Sequence, residues 1–124
     1  MLCIRMAWTV LLQDAFDSEF AALPAAMQTA LIARTRLLEQ FGPMLGRPHV
    51  DTLAASKHSN MKELRFDTAN GVWRAAFAFD TARQAIILVA ADKTGVGQGR
   101  FYSSLIALAD QRFDDHLARL KKGK

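Results

Sequence analysis

A chain of 124 residues has room for one hydrophobic core, not two, and reads as one domain, 1–124. Its 51% apolar residues exclude a disordered chain, and the net charge of +4 favours anionic partners such as nucleic acid, or an acidic protein, only weakly. One cysteine, Cys3, rules out an intrachain disulfide and a thiolate metal cluster, and suits a reducing cytoplasm. The first six residues are too short, and too broken by Arg5, for a signal peptide. No apolar run approaches the roughly 18 residues of a membrane span, so no membrane partner is expected.

Residues 6–12, with Trp8, Thr9 and Val10, read as a first strand. Asp14 offers an N-cap to a helix carrying Phe16, Phe20 and Leu23, and Pro24 breaks it while suiting the first turn of a second. That second helix bears a stripe of Met27, Leu31, Arg34, Leu38 and Phe41 and stops at Gly42-Pro43. The pair makes a helical hairpin. Residues 44–60 lack periodicity and read as a long loop with one turn near 52–55, a length at which loops are often functional. Residues 61–67 and 72–80 alternate as strands about a turn at Thr68-Ala69-Asn70-Gly71. After a turn at 80–83, the continuous apolar run 85–91 predicts a central strand buried on both faces. A last helix starts near Gln98, striped by Phe101, Leu105, Leu108, Arg112 or Phe113, Leu117 and Leu120, and its terminal lysines complement the helix dipole. The expected fold is α+β, an antiparallel sheet with the helices on one face.

Strand parity makes the most informative argument. Burying Phe66 with Trp73 and Phe77 sets the register, since a slip of one residue would expose a whole aromatic set. Glu63, Arg65, Asp67 and Arg74 then share the opposite, open face, with Arg65 and Arg74 directly opposite or diagonal. Facing like charges cost some tenths of a kcal/mol, up to about 1. Either Glu63 and Asp67 neutralise them, or the arginine forks hold a phosphate. Ala76 and Ala78 beside Arg74 would leave a concave floor. Lys93 ends the central strand within reach of this cleft, Lys62 opens the preceding strand, and Lys57 and His58 lie in the loop before it. Arg100 and Tyr102 begin the last helix. Gly95, Gly97 and Gly99 lack a Walker lysine, His49, His58 and His116 lack metal-ligand spacing, and Ser103-Ser104 lacks triad partners.

The string Ser56-Lys57-His58-Ser59-Asn60-Met61-Lys62-Glu63-Leu64-Arg65-Phe66, then Gly71-Val72-Trp73-Arg74, then the apolar run closing on Asp92-Lys93-Thr94, resembles the phage-derived Gp49-like branch of the RelE/HigB toxin superfamily. The resemblance spans nearly the whole chain. It implies a RelE-like fold and a ribosome-dependent mRNA endoribonuclease, without metal or cofactor, neutralised by a partner antitoxin that is often a helix-turn-helix protein. It further implies that Arg65 and Arg74 bind the scissile phosphate, with Lys93 assisting. Lys62, His58 or Tyr102 would move protons, and Lys57, Lys62, Lys93 and Arg100 would join the arginines along the RNA. Many relatives carry two successive lysines where this chain has Asp92-Lys93, which halves the positive charge there. Two other functions use the same fold: gyrase poisoning in ParE-type members, and nucleic-acid binding without catalysis in phage accessory proteins.

Overall fold

The computed structural model of the chain describes residues 8–68 and 71–123. Five strands and three α-helices follow one another as β1 (Thr9–Leu12), α1 (Asp14–Ala21), α2 (Ala25–Phe41), β2 (Val50–Thr52), β3 (Met61–Thr68), β4 (Gly71–Phe79), β5 (Gln84–Asp92) and α3 (Gln98–Lys122). They form one sheet in the order β1-β5-β4-β3-β2. The predicted opening of the first strand at Met6 and the centre of the hairpin turn, Ala69-Asn70, lie outside the described residues.

The sheet is mixed rather than antiparallel throughout. The hairpins β2–β3, β3–β4 and β4–β5 are antiparallel, but β1 lies parallel to β5 on the sheet's outer edge. The strand β2 falls inside the stretch that the sequence suggested was loop. Its three residues are too few for any alternation to be legible, yet Val50 is buried and pairs with Leu64.

Helices cover both faces, not one. On the first face, Phe16, Leu31 and Leu38 of α1 and α2 pack on Val50, Leu64, Phe66, Ala75, Phe77, Ala85 and Ile87. On the second, Phe101, Leu105, Ile106, Ala109 and Phe113 of α3 pack on Met61, Ala76, Ala78, Ile86, Leu88 and Val89. Ala76 and Ala78 therefore do not floor an open cleft. Their small side chains let α3 lie close against β4, and both are fully buried. A bulge between β4 and β5, where Ala76 faces Val89 but Phe77 faces Ile87, turns both Leu88 and Val89 towards α3.

Local chemistry sets the element ends. The N-cap of α1 is Gln13, whose side-chain oxygen accepts from the Ala15 amide at 2.9 Å, and Asp14 is the first helical residue instead. Gln28 donates to the carbonyls of Phe20, Ala21 and Leu23, so the first turns of α2 satisfy the end of α1. Gly42 ends α2 at φ 57° beneath the Trp8 ring, where any side chain would collide with the indole. Arg34, the odd residue in the α2 stripe, donates to the Arg65 carbonyl at 3.1 Å where β2 no longer pairs with β3. Among the described residues no helix is long and apolar enough to cross a membrane.

Candidate active site

The second face of the sheet is only partly covered. A groove of about 530 Å³ opens on this face between the first turns of α3 and residues 51–55. The sheet contributes Glu63, Arg65 and Arg74, α3 contributes Gln98, Tyr102 and Ile106, and the opposite wall is Asp51 through Ala55. Lys93, just past β5, closes one end.

Register places the two arginines directly opposite each other, Arg65 to Arg74, next to the pair of buried Phe66 and half-buried Trp73, whose rings lie 5.8 Å apart. Burying those aromatics towards α1 and α2 forces both arginines onto the groove side. Glu63, two residues before Arg65 on the same face, stands between them. Its Oε2 accepts from Arg65 Nε at 3.3 Å and from a terminal nitrogen of Arg65 at 3.1 Å, and its Oε1 lies 3.7 Å from Arg74 Nε. Asp51, paired with Glu63 across β2–β3, also accepts from Arg65 at 3.3 Å, and Asp67 accepts from Arg74 at 2.9 Å. Charge repulsion is thus relieved within the protein, at Arg65 by Glu63, which is only 5% exposed, and at Arg74 most closely by Asp67.

The arginines differ in access. Arg65 keeps 34% of its side chain open, whereas Arg74 keeps 9%. Arg74 Nε is buried without a hydrogen-bond partner among the described residues. Glu63 Oε1 faces it at 3.7 Å, beyond hydrogen-bond length, which leaves the donor open to a closer acceptor.

Tyr102 leans in from α3, and its hydroxyl donates to Glu63 Oε1 at 2.6 Å. Burial, reinforced by that hydrogen bond and by the Glu63 charge, pushes the phenol above its usual value, so it stays protonated at neutral pH. Lys93 Nζ lies 5.5 Å from the centre of the Tyr102 ring, within cation–π range. Asp92, the departure beside it, points its carboxylate elsewhere. It accepts from the amides of Val72 at 3.1 Å and Thr94 at 2.9 Å and closes the sheet end.

The remaining candidates from the sequence are not brought together here. Lys62 shares the parity of Leu64 and Phe66 and projects to the opposite face. Arg100 is exposed, two residues from both Gln98 and Tyr102, which turns it away from the groove. His58 and Lys57 reach Asp114 on α3: His58 Nε2 lies 2.8 Å from one oxygen, and the Lys57 ammonium pairs with the other. Of the groove's polar residues, Asp51, Thr52 and Gln98 escaped the sequence reading. Asp51 sits on the unrecognised strand β2, and Gln98 was read only as a helix start. The carboxylate at 63 was legible through parity, but its central position between the arginines was not.

Comparison with known proteins bears on the family and the fold. The family described as Phage derived protein Gp49-like (DUF891) matches residues 18–114. Two proteins of Mycobacterium tuberculosis are close in sequence. The one named "Putative toxin HigB2" is 38% identical over 125 residues, all of this chain but 61% of that protein, so the chain spans less than two thirds of its length. The one named "Putative toxin HigB3" is 43% identical over 109 residues, 88% of this chain and 93% of the relative. Among solved structures, a chain of the archaeal RelE–RelB complex from Pyrococcus horikoshii superposes with a TM-score of 0.53 at 14% identity, over 73% of this chain and 100% of that one. The free state of an arginine-to-alanine double mutant of the E. coli toxin RelE gives 0.51 at 9% identity, over 82% and 96%. At such identities the likeness is one of fold, and the fold is RelE-like. The chain belongs to the phage-derived Gp49-like family.

Proposed function

We propose that this protein is the toxin of a toxin–antitoxin pair, acting in the cytoplasm as a metal-independent endoribonuclease on mRNA engaged by the ribosome, and silenced by a cognate antitoxin of helix-turn-helix type. The observation that carries the reading is the direct opposition of Arg65 and Arg74 on the floor of a groove overhung by Tyr102. Two named relatives in which "toxin" is part of the name support it at the level of family.

The ribose 2′-oxygen would attack the adjacent phosphorus and give up its proton to water, while the bond to the 5′-oxygen breaks and that oxygen takes up a proton, leaving a cyclic phosphate and a free 5′-hydroxyl. Arg65 and Arg74 would meet the growing charge on the non-bridging oxygens, which is where preorganised donors act most strongly. Arg65, the more open of the two, would make first contact. The unsatisfied Arg74 Nε gains an acceptor when a phosphate oxygen displaces part of the Glu63 interaction. Tyr102, protonated at neutral pH, would turn its hydroxyl from Glu63 to the leaving oxygen, give it the proton and regain one from water. Lys93 adds charge at the groove's end.

Three carboxylates around two arginines leave this groove less basic than its arginines suggest, and no side chain in it is an evident strong base. Substrate must therefore be delivered in a reactive geometry, which is the service a ribosome provides. Primer extension after induced expression tests this: cuts should fall within translated frames and be absent from untranslated copies of the same transcript. Equal cutting of both would make the protein an independent nuclease. Supercoiling defects without cutting would move it to gyrase.

A further inference from the structure

The loop between β2 and β3 is tied to α3 by an unusually dense set of bonds. Ser56 Oγ donates to Asp110 Oδ1 at 2.5 Å, and the Lys57 amide donates to the other oxygen at 3.3 Å. One helical turn on, Asp114 takes the Lys57 ammonium on Oδ2 and the His58 ring nitrogen on Oδ1 at 2.8 Å. The His58 ring stands edge-on to Phe113, 4.9 Å between centres, and its side chain is only 18% exposed. Two aspartates four residues apart would repel each other on an isolated helix. Here each is matched to a different part of the loop. The Lys57 partner lowers the Asp114 carboxyl below its usual value, with His58 adding to the shift.

What this loop carries matters. Its first residues, Leu53, Ala54 and Ala55, form one wall of the groove, and the wall they face is Gln98, Tyr102 and Ile106 of the same α3. Tying the loop to α3 at Asp110 and Asp114 therefore fixes the spacing of both walls above Arg65 and Arg74. We propose that Lys57 and His58 are positioning residues: they latch the groove wall onto α3 through Asp114, and touch neither the RNA nor the reacting atoms. The inference rests on the ribonuclease reading for its functional half, and on geometry alone for the latch.

Removing Asp114 separates the latch from RNA contact, because the two predict opposite signs. If Lys57 and His58 served the RNA, Asp114→Ala would unmask them and leave mRNA cleavage unchanged or faster. As a latch, Asp114→Ala and His58→Ala each slow ribosome-dependent cleavage by about ten- to a hundredfold, through misplacement of the substrate. The double variant is then no worse than Asp114→Ala alone, which already removes the partner of His58. Asp114→Glu restores part of the rate. In the same proteins, hydrogen exchange at the Lys57, His58 and Met61 amides speeds up while the β3–β4 amides stay protected. Unchanged exchange would overturn the latch whatever the cleavage result. Faster exchange with full cleavage would overturn its control of the groove. A wild-type protein that cuts no translated mRNA would remove the ribonuclease reading, and the exchange data would still decide the latch.

Discussion

Glu63 is the residue on which the groove depends. It is nearly buried, yet it meets two guanidinium groups and a phenol, and without it Arg65 and Arg74 would face each other across the hairpin with only rim carboxylates to offset them. Breaking a buried ion pair by removing one partner costs several kcal/mol, and the one-third exposure of Arg65 moderates that here. Glu63→Ala should therefore destabilise the domain by about 2–4 kcal/mol in urea unfolding. Asp67→Ala removes a partner that is 61% exposed and should cost no more than about 1 kcal/mol. Equal effects would mean that the two carboxylates share the work of neutralisation. Parity made the arginine pair legible in the sequence, because Phe66 and Trp73 could be buried in only one register. It also placed Glu63 and Asp67 on that face, but not their unequal burial, which is set by how α3 crosses the sheet. Lys62 shows the same rule neglected: its parity was available from the start and excludes it from the groove.

At the scale of elements, the turn between β4 and β5 is built around one carboxylate. Asp80 accepts from the amides of Ala82 and Gln84 at 2.9 and 3.0 Å, from the Gln84 side chain at 2.7 Å, and lies 2.8 Å from His116 Nε2 on α3. Burial alone would raise this carboxyl, but the hydrogen bonds from His116, Gln84 and the turn amides outweigh it and hold the group below its usual value. A carboxyl lowered in the folded state contributes stability that is complete above its unfolded value, about 3.9, and is lost as pH falls below that. Asp80→Asn should flatten the acid limb of the stability profile below about pH 4, and cost roughly 1–2 kcal/mol at pH 7. An acid limb as steep as the wild type's would place the acid sensitivity elsewhere. The turn itself was legible from the sequence, whereas its partner on α3 is 36 residues away and left no local signal. Strand β2 was missed for a related reason: three residues give no alternation, and their pairing is decided by β3. The segment around Lys57 and His58 could be recognised as a motif, but only the tertiary structure shows that both side chains turn to Asp114.

For the whole molecule, the sequence carried more than the one-face arrangement drawn from it. The continuous apolar run of β5 is buried on both faces, with Ala85 and Ile87 towards α1 and α2, and Ile86, Leu88 and Val89 towards α3. A central strand of that kind requires cover on both sides. The N-terminal helices supply one cover and α3 the other, and Arg112 joins the two layers around the sheet edge. It donates to the Leu88 carbonyl at 2.8 Å and forks onto Glu19 of α1 at 2.9 and 2.6 Å. Because α3 covers only part of its face, the same packing that completes the core leaves the groove where Arg65, Arg74, Tyr102 and Lys93 converge. The account stands on that convergence being a phosphate site. The most direct measurement is the cleavage rate of ribosome-bound mRNA by purified Arg65→Ala and Arg74→Ala proteins, with melting curves to confirm that each remains folded. Loss of a donor to the developing charge predicts a drop of about a hundredfold or more in either variant, corresponding to roughly 3 kcal/mol of transition-state stabilisation. A folded double variant that cuts translated mRNA at the wild-type rate would contradict the account.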